Sequence, residues 1–388
     1  MKILKTIAYV FLVQMLSAAL FVIPAAAKTF VFISCAQDGE IAKMEMNLDT
    51  GDLTLLGKTK AGKVVMPMAV SPDRRYLYAA IRSVPYLYAT YAIDSTKGDL
   101  ILLSTSPSPD NMVYISTDKT GRFLLGASYA GHKISVNPIG DRGIVQANPI
   151  QVMTTGRNAH SILSDPSNRF VYVPNLGVDQ IMQLVFDEKR GILTPNNPPT
   201  VKLKADAGPR HIAFSPNFRF FYVVSELDGM VRAFTFDSAT GLLKEFQSIS
   251  AVPKNSTLLP GKIAPPLGGP QAQLGSQAEQ DKPRIQAADI HITPDGKFLY
   301  TSERTGSTLA AFAVDSATGM LKYINSYDTE KQPRGFNIDP RGNFLLACGE
   351  LSDQCLVHRI NRQTGELQPL KRYPVGKDPN WIEIVDFQ

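Results

Sequence analysis

Short apolar runs recur along this chain in pairs, each pair joined by a polar turn. The turn recurs six times at intervals of 45 to 51 residues, with one longer step of 78. An apolar run precedes each turn, and an apolar run with an aromatic residue follows it, which is the composition of a β-hairpin. A repeat in the forties indicates a repeat architecture. The six turn segments are SPDRRYLY from Ser71, STDKTGRFLL from Ser116, SDPSNRFVY from Ser164, SPNFRFFY from Ser215, TPDGKFLY from Thr293 and DPRGNFLL from Asp339.

Two further strands follow the hairpin in most repeats. MVRAFTF (Met230–Phe236) is followed by the turn DSATG and then by GLLKEFQSIS, and DSATG appears again at Asp315. Four strands in a unit of this length predict the blade of a β-propeller. The repeat therefore predicts an all-β protein built from four-stranded antiparallel blades.

The two ends of the chain supply the remaining blade. TFVFISC (Thr29–Cys35) has the pattern of a second strand without a first, and NWIEIVDF (Asn380–Phe387) has that of a first strand without a second. Pairing the C-terminal strand with the N-terminal strands closes the ring and leaves no open edges. We expect a seven-bladed propeller forming a single domain over residues 28–388.

Residues 250–285 interrupt the repeat. This segment is rich in Pro, Gly and Gln and has no apolar periodicity, which is typical of a loop. It leads into a first strand and is expected to lie on the face where first strands begin. We interpret it as a candidate lid.

The first 27 residues have the features of a secretory signal peptide. Lys2 and Lys5 precede an apolar stretch from Thr6 to Pro24, and Ala25–Ala27 offer a small-residue cleavage site. An uncleaved membrane anchor is the alternative. A bacterial periplasmic or secreted protein is expected, without membrane attachment once the signal has been removed.

Charge and cysteine content add little to this picture. The formal net charge of +5 falls to +3 without the two leader lysines, and no basic run gives an argument for nucleic-acid or membrane-surface binding. Cys348 and Cys355 flank a predicted hairpin and either form a disulfide after export or remain buried thiols. We expect a monomer.

Polar residues accumulate where the two outer ends of each hairpin meet at one rim of the disc. Aligned on the turns, His160, His211 and Asp289 fall four residues before the turn, so that His160 and His211 appear equivalent in adjacent blades. Segregation of polar ends from apolar middles suits a mouth that binds an anionic or sugar-lactone substrate. The candidate residues at this rim are Arg82, Tyr129, His160, Arg210, His211, Glu226, Asp289, Arg304 and Arg334.

Structural roles compete with some of these functional ones. Glu226 either forms an ion pair with Arg210, sixteen residues earlier, or takes part in catalysis, and the two are compatible. Asp289 is either a substrate-binding residue or an orienting partner for a rim Arg or His. His291 lies within its strand and is interpreted as a hydrogen-bonded core residue.

The segments GPRHIAFSPNFRFFYVVSEL, ADIHITPDGKFLYTSERT and QPRGFNIDPRGNFLLACGE resemble blades of the propeller-type 6-phosphogluconolactonases, and the likeness covers nearly the whole mature chain. The resemblance implies a lactone hydrolase without a required metal or cofactor. It also implies a catalytic site involving His160, Arg210, Glu226 and Arg304, with His211 and Arg334 at the same mouth. The export signal and the long loop depart from this family and put a phosphorylated substrate in question.

Lactone hydrolysis needs an activated water and a stabilised oxyanion. His160 or Glu226 is expected to take the proton, while Arg210, Arg304 and Arg334 bind anionic oxygens. The sequence has no G-x-S-x-G or H-E-x-x-H motif, so serine and zinc hydrolases are not indicated. A carboxymuconate-lactonising enzyme and a non-enzymatic exported propeller are the alternatives.

Overall fold

The structure, a computed structural model, describes residues 28–265 and 282–387. Within these ranges the chain forms seven four-stranded antiparallel sheets and one short 3₁₀ turn at Leu176–Val178. The predicted all-β, seven-bladed propeller is confirmed. The predicted signal peptide and residues 266–281 of the long loop lie outside the described residues.

The blades are numbered in chain order, and blade 7 combines both ends of the chain. Blades 1 to 3 contain β4 (Val65–Val70), β5 (Tyr76–Ile81), β6 (Leu87–Ile93) and β7 (Leu100–Pro107); β8 (Met112–Thr117), β9 (Phe123–Ser128), β10 (Lys133–Pro138) and β11 (Gln151–Thr154); and β12 (Leu163–Ser164), β13 (Phe170–Asn175), β14 (Gln180–Asp187) and β15 (Ile192–Lys202). Blades 4 and 5 contain β16 (Pro209–Phe214), β17 (Phe220–Ser225), β18 (Met230–Phe236) and β19 (Leu243–Ser250); and β20 (Ala287–Ile292), β21 (Phe298–Glu303), β22 (Thr308–Val314) and β23 (Leu321–Asp328). Blades 6 and 7 contain β24 (Pro333–Ile338), β25 (Phe344–Gly349), β26 (Gln354–Ile360) and β27 (Leu367–Pro374); and β28 (Pro379–Asp386), β1 (Thr29–Cys35), β2 (Glu40–Met46) and β3 (Leu53–Lys60).

The ring closes through β28 and β1. These strands pair antiparallel from Thr29 opposite Asp386 to Cys35 opposite Pro379. The Thr29 hydroxyl also donates to an Asp386 carboxylate oxygen at 2.9 Å. The predicted closure is confirmed, with β28 beginning and ending one residue earlier than expected. Both termini of the propeller are therefore held in the same sheet.

A polar residue fixes each hairpin turn. Its backbone N–H donates to the carbonyl of the aromatic residue five positions later, for example from Ser215 to Phe220 at 2.9 Å and from Asp118 to Phe123 at 3.0 Å. The side chain of Asp118 also accepts the backbone N–H of Phe123 at 2.9 Å. In blades 2 and 3 the turns therefore begin at Asp118 and Asp165, so that their assignment to Ser116 and Ser164 is wrong.

Neighbouring blades are joined by tyrosines that reach from β13, β17 and β21 into the next blade. The hydroxyl of Tyr172 donates to the Gly241 carbonyl at 2.6 Å, and Tyr222 and Tyr300 make the matching bonds to Gly319 and Gly365. Gly241 lies at φ +71°, and a Cβ there would approach the Phe170 ring of blade 3 to 2.2 Å. The repeated turn glycine thus permits both the turn and the contact between blades.

The structure places a disulfide between Cys348 and Cys355, which face each other across β25 and β26 with a Cα–Cα distance of 4.0 Å. The disulfide is one of the two states that the sequence left open for these cysteines. Cys35 is a buried free cysteine. Within residues 28–265 and 282–387, no helix is long and apolar enough to cross a membrane.

Candidate active site

A β-bulge in the first strand of the blades positions the polar residues. The pairing register shifts between Pro209 and His211 in blade 4 and between Pro333 and Gly335 in blade 6. A bulge redirects the residues within it, and here the first of two consecutive residues, such as Arg334, lines the mouth while the second, such as Gly335, lines the central channel. A shift of one position along the first strand therefore decides whether a side chain reaches the mouth or the central channel.

With the turns correctly placed, the residues five before the turn form an upper ring and those four before it a lower ring. His160 belongs to the same ring as Arg210, while His211 belongs to the ring below. The predicted equivalence of His160 and His211 is therefore wrong. The upper ring contains Met66, Val113, His160, Arg210, Ala288, Arg334 and Asn380, and the lower ring contains Pro67, Tyr114, Ser161, His211, Asp289, Gly335 and Trp381.

The mouth of the propeller is a pocket with a volume of about 490 Å³. It combines three arginines, a histidine and three carboxylates with an apolar floor and wall. Its lining residues are Val64, Met66, Arg82, Val113, Tyr129, His160, Glu226, Ala264, Pro265, Arg304, Gln332, Arg334, Glu350 and Asp378.

Glu226 is clamped between two arginines on one side of this pocket. Its Oε2 accepts from Arg210 Nε at 2.7 Å and its Oε1 contacts Arg304 Nη2 at 2.9 Å. Burial alone would raise the pKa of Glu226, but Arg304, Arg210 and Arg334 outweigh it and hold the pKa below its ordinary value. Glu226 is therefore ionised, and the predicted ion pair with Arg210 is confirmed.

Arg210 lies behind the pocket wall and is fully buried. Besides Glu226, it donates to the Ala288 carbonyl and lies 3.2 Å from Nε2 of His211. Nδ1 of His211 is 2.8 Å from Asp289 Oδ1. The carboxylate accepts the Nδ1 proton, which leaves Nε2 to accept from Arg210. This chain of contacts holds Arg210, and through it Glu226, in place.

His211 and Asp289 thus lie below the mouth, in a channel cavity of about 330 Å³. Asp289 has the orienting contact with His211 that was one of its two predicted roles, and it also lies 3.2 Å from Nε2 of His291. His291 makes the expected hydrogen bond but is one-third exposed to the channel, so that its assignment to the core is wrong. The direct substrate contact predicted for His211 and Asp289 has no support from their position.

His160 lies in the pocket wall between the Tyr129 and His211 rings, with ring-centroid distances of 5.6 and 5.3 Å. Burial lowers the pKa of His160 well below its ordinary value, and the charge of Arg210 lowers it further. Its Nδ1 is buried and has no hydrogen-bond partner among the described residues. The imidazole is therefore neutral at pH 7 and can accept a proton.

A second group of polar residues in the pocket lining comes from blades 6, 7 and 1. Arg334 Nε lies 3.8 Å from Glu350 Oε1, and Gln332 donates to the other oxygen of Glu350 at 3.0 Å. Burial raises the pKa of Asp378 to about 6, and the nearby charge of Glu350 adds to the effect. Arg82 donates to Asn111 Oδ1 at 2.6 Å.

The described part of the long loop forms a side of the pocket. Tyr129 donates its hydroxyl to the Ala264 carbonyl at 2.7 Å, and the Gly261 N–H donates to the Leu227 carbonyl at 2.7 Å. A Cβ on Gly261 would come within 2.9 Å of the Leu227 Cα, so this close approach of two backbones needs glycine. The loop lies on the predicted face, while a lid function stays a prediction.

Of the nine candidates, Arg82, Tyr129, His160, Glu226, Arg304 and Arg334 line the mouth, and Arg210 supports it from behind. The sequence reasoning missed Gln332 and Asp378, although both lie at the same place in the repeat, directly before a first strand. Both have positive φ, at 60° and 56°, which turns the chain at the rim. Among the described residues, no group of three or more His, Cys, Asp or Glu is arranged to hold a metal ion.

This fold and this mouth define a class of protein. The sequence profile of the family "Lactonase, 7-bladed beta-propeller" matches residues 30–384. The chain belongs to this family of seven-bladed propeller lactonases.

Individual relatives agree with the family assignment. The 6-phosphogluconolactonase of Yersinia pestis (strain Pestoides F) is 37% identical over 362 residues, covering 93% of this chain and 99% of the relative. That of Pectobacterium carotovorum (strain PC1) is 37% identical over 357 residues, covering 92% and 98%. The structure of a periplasmic gluconolactonase from Pseudomonas aeruginosa has the same fold, with a TM-score of 0.80, 23% identity and coverage of 93% and 99%.

Proposed function

We propose that this protein hydrolyses a sugar lactone, with His160 as the general base. The observation that carries the proposal is a neutral imidazole in the wall of a pocket that also contains Arg304 and Arg334. The 6-phosphogluconolactonases at 37% identity support the reaction class.

In this mechanism, His160 takes a proton from a water molecule as the water oxygen attacks the lactone carbonyl carbon. The carbonyl oxygen becomes an oxyanion, which the Arg304 guanidinium stabilises. The tetrahedral intermediate then re-forms the carbonyl and breaks its bond to the ring oxygen. The protonated His160 returns its proton to that oxygen, which gives the open-chain acid and the starting form of the enzyme.

Glu226 is a positioning residue in this scheme. Among the described residues, Nδ1 of His160 has no hydrogen-bond partner, whereas each carboxylate oxygen of Glu226 already contacts a guanidinium. The contacts of Glu226 instead fix Arg304 at the mouth and Arg210 behind it. Of the two bases left open by the sequence, His160 is therefore the one that we assign.

Hydrolysis of gluconolactone and 6-phosphogluconolactone by wild-type protein and by His160→Gln tests the proposal, and lactonisation of carboxymuconate is assayed in parallel for the alternative reaction. We expect His160→Gln to lower kcat/KM by about 10²–10⁴-fold, the usual contribution of a general base, without loss of the fold. His358→Gln is the matched control, because His358 is a buried histidine in β26 outside the pocket. Full activity of His160→Gln would remove His160 from the mechanism, and an inactive wild type would favour a ligand-binding propeller.

We also propose that the protein is exported. The leader pattern in residues 1–27 supports this, as does the Cys348–Cys355 disulfide, since disulfides persist mainly outside the reducing cytosol. Fractionation of the expressed cells followed by N-terminal sequencing tests this. A mature chain starting near Lys28 in the periplasm or medium is expected, and an intact Met1 terminus in the cytosol would contradict export.

A further inference from the structure

Among the described residues, Arg82 differs from the other buried arginines around the mouth in having no acidic partner. It follows the last residue of β5 in blade 1 and is 8% exposed. Within residues 28–265 and 282–387, no carboxylate lies within 4.0 Å of its guanidinium; its contacts are Asn111 Oδ1 at 2.6 Å and the Met66 thioether at 2.8 Å. Arg210 and Arg304, by contrast, are each paired with Glu226.

A buried charge without a counter-ion is costly, so proteins pair such groups or use them to bind a ligand. Burial lowers the pKa of Arg82, and the like charge of Arg334 lowers it further, which reflects a positive potential at this wall. The guanidinium has five N–H donors, and these two contacts occupy Nε and one Nη. Donors therefore remain for a ligand in the pocket that Arg82 lines.

The acidic groups of this wall do not neutralise Arg82 by contact. Glu350 lies against Arg334 and Gln332, and Asp378 acts on Arg82 only at longer range. In a ring of seven blades, blade 1 lies across the channel from blades 4 and 5, which supply Glu226 and Arg304. An anion bound at Arg82 would thus lie on the far side of the pocket from the proposed oxyanion site.

We propose that Arg82 is the specificity residue of this site and binds a second anionic group, a phosphate ester or a carboxylate, on the lactone at the end remote from the reacting carbonyl. A guanidinium fork suits either group, because both present two or more oxygens in its plane. This inference rests on the proposed lactonase function and narrows its substrate class to lactones with a charged terminal group.

Calorimetry with three sugar acids tests the inference directly. Gluconate, glucarate and 6-phosphogluconate share the configuration of carbons 2 to 5 and differ at carbon 6, which bears a hydroxyl, is a carboxylate or bears a phosphate, respectively. Wild-type protein should bind at least one of the two ligands charged at carbon 6 more than tenfold more tightly than gluconate. Comparing glucarate with 6-phosphogluconate identifies the preferred anion. Equal affinity for all three would overturn the proposal.

Arg82→Met should remove that preference, weakening the ligand charged at carbon 6 by about 10- to 100-fold, the value of one or two charge-assisted hydrogen bonds. Gluconate binding should change less than threefold. Asn111→Asp is a second, nearly isosteric variant that keeps the arginine and places a carboxylate beside it, and it should weaken the same ligand. Arg82→Lys should restore part of the preference, because it keeps the charge without the fork.

Kinetics with the corresponding lactones distinguish the proposed role of Arg82 from the proposed lactonase function. Arg82→Met should raise KM for the charged lactone at least tenfold more than it raises KM for gluconolactone, with little change in kcat for the charged lactone. If wild-type protein hydrolyses none of the lactones, the proposed function fails while the calorimetry still decides the role of Arg82. An equal effect of Arg82→Met on charged and uncharged ligands would reduce Arg82 to a structural residue.

Discussion

Replacing Glu226 with glutamine should destabilise the whole propeller as well as impair the site. The substitution keeps the shape of the side chain but removes the negative charge between Arg210 and Arg304, whose contacts with it measure 2.7 and 2.9 Å. Arg210 is fully buried and Glu226 is 5% exposed, so water cannot replace the lost charge. Two neighbouring guanidiniums would then repel each other without a counter-ion.

The magnitude follows from the burial of the pair. Each charge contact at about 4 Å is worth roughly 4 kcal/mol in an effective dielectric of ~20, and part of this offsets the desolvation of the carboxylate. Breaking a buried pair by removing one partner typically costs about 3–5 kcal/mol. We expect Glu226→Gln to lower the free energy of unfolding by that amount, out of the total of about 5–15 kcal/mol that is typical of folded proteins.

Urea denaturation at pH 7 measures the effect, with Glu350→Gln as the matched control. Glu350 occupies the equivalent position in blade 6, but its arginine contact is longer, at 3.8 Å, and the Gln332 bond can persist, so a loss of about 1 kcal/mol is expected. Adding Arg210→Met to Glu226→Gln should recover about 2 kcal/mol, because it removes the uncompensated charge. Unchanged stability of Glu226→Gln, or equal losses in both glutamine variants, would refute the reasoning.

Three further predictions concern stability and pH. Reduction of the Cys348–Cys355 disulfide should lower the free energy of unfolding by about 2 kcal/mol, the value for a loop of this size, and the double serine variant should be equally unstable and insensitive to reductant in urea titrations. Burial lowers the pKa of His358 to about 4, so between pH 6.5 and 4 this histidine is protonated in the unfolded chain but not in the folded one. The free energy of unfolding should therefore fall by about 3 kcal/mol as pH falls across that range. His358→Gln should flatten this part of the stability–pH curve, and an unchanged slope would contradict the assignment. The pKa of Asp378 is raised to about 6, so this carboxyl becomes negatively charged as pH rises from 5 to 7, and binding of the anionic glucarate should weaken several-fold. Calorimetry should find this pH dependence missing in Asp378→Asn.

The architecture was predictable because each blade repeats the same local pattern. The apolar runs, the aromatic residue after the turn and the DSATG turns each follow from a local structural requirement, and six copies of the hairpin turn make the pattern clear. The closure of the ring followed from two incomplete units at the chain ends, TFVFISC and NWIEIVDF. The Glu226–Arg210 pair was also accessible, since both residues end neighbouring strands of one hairpin.

The depth of each side chain in the channel was harder to predict. Ser, Thr and Asp can all begin the turn, so the sequence pattern predicts turns at Ser116 and Ser164, whereas the hydrogen bonds place them at Asp118 and Asp165. The aromatic residue five positions after the turn residue is a better marker, because the hairpin hydrogen bond fixes that spacing. Aligned on it, the sequence alone would have placed His160 with Arg210 and His211 one level lower.

The separation into two levels has a chemical consequence for the family fold. A bulge that sends one residue to the mouth and the next into the channel lets each blade supply a pocket residue and a supporting residue from consecutive positions. In blade 6 the first of these residues is Arg334, which lines the mouth. In blade 4 both residues give support, because Arg210 is held against Glu226 from behind the wall and His211 is held by Asp289 from blade 5. A substitution in the channel can therefore alter the geometry of the mouth without touching a ligand. Among the described residues, no such chain of contacts through the channel holds Arg82, so a substitution of Arg82 should affect only the ligands that Arg82 binds directly.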